Sequence, residues 1–375
     1  MLSRDEVVVT GVGLVTPWPD PGRRLGPGRP GPEDAEWFDA GRELGPRGHK
    51  YLPPAARYLL AAGRRALTAA GLPAGTEAPA AGAAHGPHPG PVPVPVPVPD
   101  ERRGMVLATN SGLAPLFRAM DRTVVEHGAD RLGPATAPYF AVNVLAGRLA
   151  SEQALKGFGL TLTTPAVGGL EAVLAATRAL AARRADLVLV CAAEDRPPPG
   201  EPGGRYGEEG AVALVLEPRA LAERRGAPVL GRCAAVTAYV PSTAADDAPG
   251  GTGERRLTDL LRALGQDPGR APAPLPVHAV LDASRRGRRA ARVLERHAGA
   301  GVRTVAAGAG CLTPLLRAAA LLAPGPGSPD TGGGAHLVVS ATATGHLAAA
   351  RVEAAATDRG RGGGHDAVTT TALPA

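Results

Sequence analysis

The chain has 375 residues, 44% of them hydrophobic and only 3% aromatic, with a formal charge of +6 at neutral pH. That length accommodates two core-bearing halves or one large layered domain, with cores of Val, Leu and Ala rather than of rings. The charge does not mark a nucleic-acid binder. Its basic residues, Lys50 and Lys156 apart, are arginines, scattered and without interleaved aromatics to stack bases. The nearest basic cluster, Arg285-Arg286-Gly287-Arg288-Arg289, reads equally as a solvated helix start. Cys191, Cys233 and Cys311 are odd in number and widely spaced, so neither a disulfide framework nor a thiolate metal site is expected, and a reducing cytoplasm is the simplest compartment. No apolar leader core and no bilayer-length apolar run is seen.

In chain order, Val7-Val8-Val9-Thr10-Gly11-Val12-Gly13 reads as a buried strand ending in a glycine turn. The prolines at 17, 19 and 21 cannot open the helix that a dinucleotide phosphate needs, so no nucleotide cofactor is expected. A helix over 55–70 carries Leu59, Leu60, Ala66 and Leu67 on one stripe. Residues 73–99 end in alternating Pro and Val; every second residue lacks an N–H, which denies both helix and ladder, so this is a disordered insertion. His85 and His88 within it have no acidic or thiol neighbours and are read as solvated loop residues, leaving no metal site. A strand over 104–109 precedes a helix through Leu116, Phe117, Met120, Val124 and Val125. Strands at 160–164, 186–190 and 210–216 flank a helix over 167–184. After a Gly/Pro/Asp-rich stretch at 241–253 the rhythm repeats. Helices are predicted at 254–264, 288–298 and 313–322, and strands at 277–281, 302–306 and 335–340, with a last strand ending near 352. Alternating strands and long helices predict an α/β fold with mixed, doubly covered sheets. The units expected are an N-terminal half over 1–232, a C-terminal half over 233–356 and a disordered tail over 357–375.

The segment from Leu160 to Ala172 has the layout of a nucleophile turn: a β-prone run, a tight turn, then a helix opening on Gly168 and Gly169. A side chain at such a turn stands exposed at a helix N-terminus, where N–H groups stabilise a thiolate or an oxyanion. The residue there is Ala166, which has no nucleophilic atom.

The chain resembles the β-ketoacyl synthases, the condensing enzymes of fatty-acid and polyketide assembly. The residues that carry the resemblance are the opening Val8–Trp18 run, Pro138-Tyr139-Phe140-Ala141-Val142-Asn143, and the stretch 159–172. Two strands add to it: 185–195, which ends in Ala193-Glu194-Asp195, and 207–217, which opens on Gly207-Glu208-Glu209-Gly210. The resemblance implies a thiolase-like, duplicated fold in five αβαβα layers, and a dimer. It also implies a catalytic Cys, two His and a Lys; these fall on Ala166, Ser284, Cys311 and Ala306. The family's gating loop falls on residues 341–345, around Ala343. Family members without the Cys include the chain-length factors of polyketide synthases, which pair with an active ketosynthase and shape the tunnel for the growing chain. Loading decarboxylases keep their histidines, and this chain does not.

Phe117 and Met120, three apart on one helix, are read either as tunnel-lining residues or as core. Cys311, behind glycines and ahead of a helix, is either a displaced nucleophile or a small buried hydrophobe. Asn143, Glu194 and Glu208 are read as satisfying backbone donors rather than as acid–base groups. The function expected is a non-catalytic partner of an active ketosynthase homologue, as a heterodimer or else a homodimer, working with an acyl carrier protein. An acyltransferase with displaced chemistry at Cys311 and a decayed paralogue are the alternatives. No nucleic acid, membrane insertion or cofactor enters any of the three.

Overall fold

Continuous Val/Leu/Ala runs need cover on both faces, and this chain supplies it with helices between and outside two sheets. The computed structural model describes residues 6–17, 37–73, 98–197, 208–241, 248–266, 274–323 and 334–355. Most of the expected insertion 73–99, with His85 and His88, and the expected tail 357–375 lie outside the described residues.

The first half runs β1 (Val7–Val15), α1 (Ala40–Leu44), α2 (Pro54–Ala69), β2 (Arg103–Ala108), α3 (Ala114–His127), α4 (Val144–Glu152), β3 (Gly159–Leu162), α5 (Gly168–Ala181), β4 (Leu187–Glu194), β5 (Gly210–Pro218) and α6 (Arg219–Arg224). The second runs β6 (Gly231–Tyr239), α7 (Thr252–Ala263), β7 (Val277–Leu281), α8 (Arg285–Ala298), β8 (Val302–Ala306), α9 (Leu312–Leu322), β9 (Ala335–Ala341) and β10 (His346–Ala354).

The strands follow one ten-stranded hydrogen-bonded order that divides into two five-stranded sheets, β3-β2-β4-β5-β1 and β8-β7-β9-β10-β6. They join only through the single pair Val9 and Gly231. Counted within its own half, each sheet has the same order, with a parallel trio at one side and antiparallel strands at the other. α5 and α9 lie between the sheets and share one core with both. Burial of nearly all of α9 explains why it is apolar but for Thr313 and Arg317, whereas α5 keeps Arg178 and Ala181 exposed on a remaining outer face. α2 and α4 cover the outer face of the first sheet, and α7 and α8 cover that of the second. The result is the expected α/β, five-layered, duplicated architecture.

Several local readings needed correction. β6 and α4 were not foreseen. β6 is rich in Ala and weakly β-prone, and is held by nine-residue pairing with β10. Cys191 lies inside β4 rather than at its end, because the strand runs on to Glu194. Phe117 and Met120 do not share a buried face: Met120 is 5% exposed, Phe117 37% and Val125 84%. Nor is the Arg285–Arg289 cluster wholly solvated, since Arg286 is buried and donates to the carbonyls of Val240 (2.6 Å) and Pro241 (2.9 Å).

Candidate functional site

The site lies where the C-terminal ends of parallel strands from both sheets meet the heads of α5 and α9. Ala166, between β3 and α5, has φ of 57°, the left-handed conformation expected of a nucleophile turn. Its N–H donates to Gly310 O at 2.7 Å. Its carbonyl accepts from Ser340 Oγ at 3.1 Å, and the same hydroxyl bonds Val280 O at 3.1 Å. The turn is therefore held from β7, β9 and the α9 loop at once. The side chain is not exposed as the turn motif implied. It is 3% exposed and packs with Val280 and Ala307.

Cys311 sits at the head of α9, fully buried. Its N–H and its thiol both donate to Glu194 Oε1, at 2.8 and 3.0 Å. Glu194 also accepts from the N–H groups of Asn110 and Ser111. Glu208 accepts from Leu312 N at 2.9 Å, Thr313 N at 3.0 Å and the Thr313 hydroxyl. Two carboxylates thus cap one helix N-terminus, where its unpaired donors and dipole favour negative charge. That bears out the reading of both as backbone partners; Asn143, by contrast, opens α4 with no side-chain capping bond. A β-carbon on Gly310 would lie 2.4 Å from Glu208 Oε2 and 2.6 Å from Glu194, so this approach requires glycine.

The electrostatics run against a reactive thiol. Burial, and then the adjacent Glu194 carboxylate, push the Cys311 thiol well above its ordinary range, the reverse of the cationic setting that makes a thiolate. Burial and the neighbouring Glu194 raise Glu208 to about 7. Asp195 also rises to about 7, by burial and then Glu209.

Ser284 is the N-cap of α8: its hydroxyl accepts from Gly287 N at 2.9 Å and donates to Asp282. Asp282 Oδ2 in turn accepts from Ala343 N at 2.8 Å, tying this cap to the 341–345 loop, where Ala343 is exposed. Ala306 ends β8, and its neighbour Ala307 donates to Leu281 O at 2.8 Å. Ala166 and Cys311, distant in sequence, are therefore brought together, and Ser284 hangs from the neighbouring strand end through Asp282; at the end of β8 it is Val305 and Ala307, not Ala306, that pack with Ala166. Phe117 and Met120 stand apart on α3. His278 and His336, 3.4 Å apart, occupy the opposite, N-terminal ends of β7 and β9. Among the described residues no group of three or more His, Cys, Asp or Glu could hold a metal, and no helix is long and apolar enough to cross a membrane. Sequence reasoning missed Ser340 and Asp282. Ser340 carries no local signal, whereas Asp282 two residues before an N-cap Ser is a recognisable turn pattern.

Two stacked mixed sheets around paired central helices define a thiolase-like ketosynthase fold. The family model for the β-ketoacyl synthase N-terminal domain matches residues 32–204. One similar structure is that of a type II polyketide synthase acyl-carrier protein in complex with its ketosynthase bound to the hexaketide. It has a TM-score of 0.67 and 18% identity, covering 94% of this chain and 100% of that one. The ishigamide ketosynthase/chain length factor gives 0.65 at 21% identity, covering 93% and 99%. A β-ketoacyl synthase from Burkholderia phymatum gives 0.64 at 17%, covering 93% and 99%. No curated protein matches the chain. The chain thus resembles the β-ketoacyl synthases in sequence over residues 32–204 and shares the ketosynthase fold over nearly its whole length.

Proposed function

We propose that this chain is a non-catalytic, chain-length-factor-type subunit of a polyketide or fatty-acid synthase in the cytoplasm, pairing with an active β-ketoacyl synthase. The observation that carries the reading is the turn at Ala166: the backbone of a nucleophile site is kept, while its side chain is a packed methyl group. Acyl transfer needs a nucleophile and groups to move protons and stabilise the enolate. Ala166, Ser284 and Ala306 offer no such set, and Cys311 is locked as a thiol donor to Glu194. On this reading Phe117, Met120 and Ala343 border the acyl tunnel, and the halves 1–232 and 233–356 act as one scaffold. The partner surface is the β3 edge with α3, where Leu160, Phe117, Val124 and Val125 are exposed apolar side chains. Such a patch is typical of an obligate interface.

Co-expression with a ketosynthase from the same assembly line tests this. The expected result is a one-to-one heterodimer, lost in the Phe117→Arg, Val125→Arg double variant, and no acyl adduct on the isolated chain by mass spectrometry. A stable adduct on Cys311, or a homodimer that persists beside excess ketosynthase, would overturn the reading.

A further inference from the structure

One pair of side chains on the second sheet has no part in the candidate site. β7 and β9 are parallel neighbours in the interior of that sheet, in the register Val277 to Leu337 and His278 to Val338. Val277, Ala279, Leu281, Leu337, Val339 and Ala341 belong to the outer core under α7 and α8. Alternation along a strand therefore turns His278 and His336 to the opposite face, the one that Val338 shares with α5 and α9. There His278 Nε2 and His336 Nδ1 face each other at 3.4 Å, with the rings inclined by 50° and their centroids 5.4 Å apart. His278 is 4% exposed, and His336 is half-buried near the start of β9, so the pair is reached from solvent on the His336 side.

This separation suits a shared metal ion better than a shared proton. Hydrogen bonds from N–H donors centre near about 2.9–3.0 Å and weaken beyond about 3.2 Å. Two imidazole nitrogens at about 2.0–2.1 Å from one tetrahedral ion stand about 3.3–3.4 Å apart, along an edge of that tetrahedron. Both histidines sit on paired strands rather than on loops, so the sheet itself sets their spacing. Their donor set is nitrogen alone: among the described residues no carboxylate or thiol joins them to make a group of three. Imidazole nitrogen selects Zn(II), Ni(II) or Cu(II) over Mg(II) and Ca(II), which take oxygen ligands. Arg303 stands beside His278 in register on β8, but it is exposed, and its charge is screened by solvent.

We propose that His278 and His336 form a two-imidazole site for a borderline divalent transition metal, Zn(II), Ni(II) or Cu(II), completed by water. With fewer protein ligands than a structural zinc centre, the site exchanges its ion with the medium. A bound ion braces β7 against β9 at the end of the sheet away from Ala166 and stabilises the fold by mass action. The site shares no residue with the candidate functional site, so it stands whether or not the chain pairs with a ketosynthase.

The test is calorimetric titration of the full chain, stripped with EDTA, with zinc, nickel or copper(II) chloride, and with magnesium chloride as the control. The variants are His336→Gln, at the more accessible ligand, and His278→Gln, each checked for folding by circular dichroism. The expected result is one ion per chain, copper held more tightly than nickel or zinc, and binding roughly tenfold or more weaker in either variant. The melting temperature of the parent should rise with metal concentration. At one equivalent of copper, electron paramagnetic resonance should show coupling to two nitrogens in the parent and to one in His336→Gln. Binding that is unchanged in the variants would place the ion on other histidines and overturn the proposal. So would no zinc, nickel or copper bound by the parent, or magnesium bound as well as zinc. Should the buried His278→Gln chain fail to fold, His336→Gln alone decides between these outcomes.

Discussion

Ala166 holds a left-handed turn that its β-carbon disfavours by about 1–2 kcal/mol, and no nucleophile puts that strain to use. The turn persists because bonds from Gly310 and Ser340 fix both its N–H and its carbonyl. The geometry of a reactive residue therefore outlives its chemistry. It follows that Ala166→Cys supplies a thiol at a helix head without imidazoles to drive decarboxylation. Slow acylation of Cys at 166 is expected, with no condensation product, checked by intact-protein mass spectrometry and a ketide assay with malonyl carrier protein. Condensation from that single change would mean that other residues perform the histidines' role.

At the scale of elements, α5 and α9 start at one point because Gly168 and Gly169 let α9 approach. A β-carbon on Gly169 would lie 2.7 Å from Cys311 O. The two carboxylates on β4 and before β5 then fix the α9 head, so the strands of the first half position a helix of the second. The Pro-rich insertion lies outside the described residues, and its described flanks, Leu72 and Val98, both pack on the first outer core. Replacing 74–97 with a short Gly/Ser linker should leave the melting temperature within about 3 °C of the parent, read by circular dichroism. A fall of about 10 °C or more would show that the segment packs on the fold.

For the whole molecule, pH dependence has a carboxylate part, set by which groups are shifted and in which direction, and a smaller opposing part from His297, which burial holds below its ordinary range. Glu6, Glu254, Glu353 and Asp186 are held below their ordinary range with arginines beside them. Their stabilisation is present above the unfolded pKa and lost in acid, so between pH 5 and 8 they contribute nothing to the slope. Glu208 and Asp195 are raised to about 7. Burial opposes their ionisation, so the folded state is favoured while they are protonated and loses ground as pH climbs from their unfolded values through 7. Stability should therefore fall from pH 5 to pH 8, by something on the order of 2 kcal/mol, measured by urea unfolding. Flat or rising stability across that window would contradict the raised pKa of these two buried carboxyls.

Much of this was legible without coordinates. The apolar strand runs, the β7 and β8 boundaries, the glycine-opened helix after residue 166 and the loss of its nucleophile all follow from local pattern, because strand burial and turn chemistry leave a period and a composition behind. β6 was not legible: its alanines have little preference of their own, and only pairing with β10 makes them a strand. Nor was the exposure of Phe117, since an apolar stripe has the same spacing whether it faces a core or a partner. The site itself belongs to tertiary structure. Ala166, Ser284 and Cys311 are separated by long stretches of chain, and they converge because the sheets end at one place, because Glu194, Glu208 and Asp282 satisfy donors that local sequence leaves unpaired, and because Ser340 donates to the carbonyls of Ala166 and Val280.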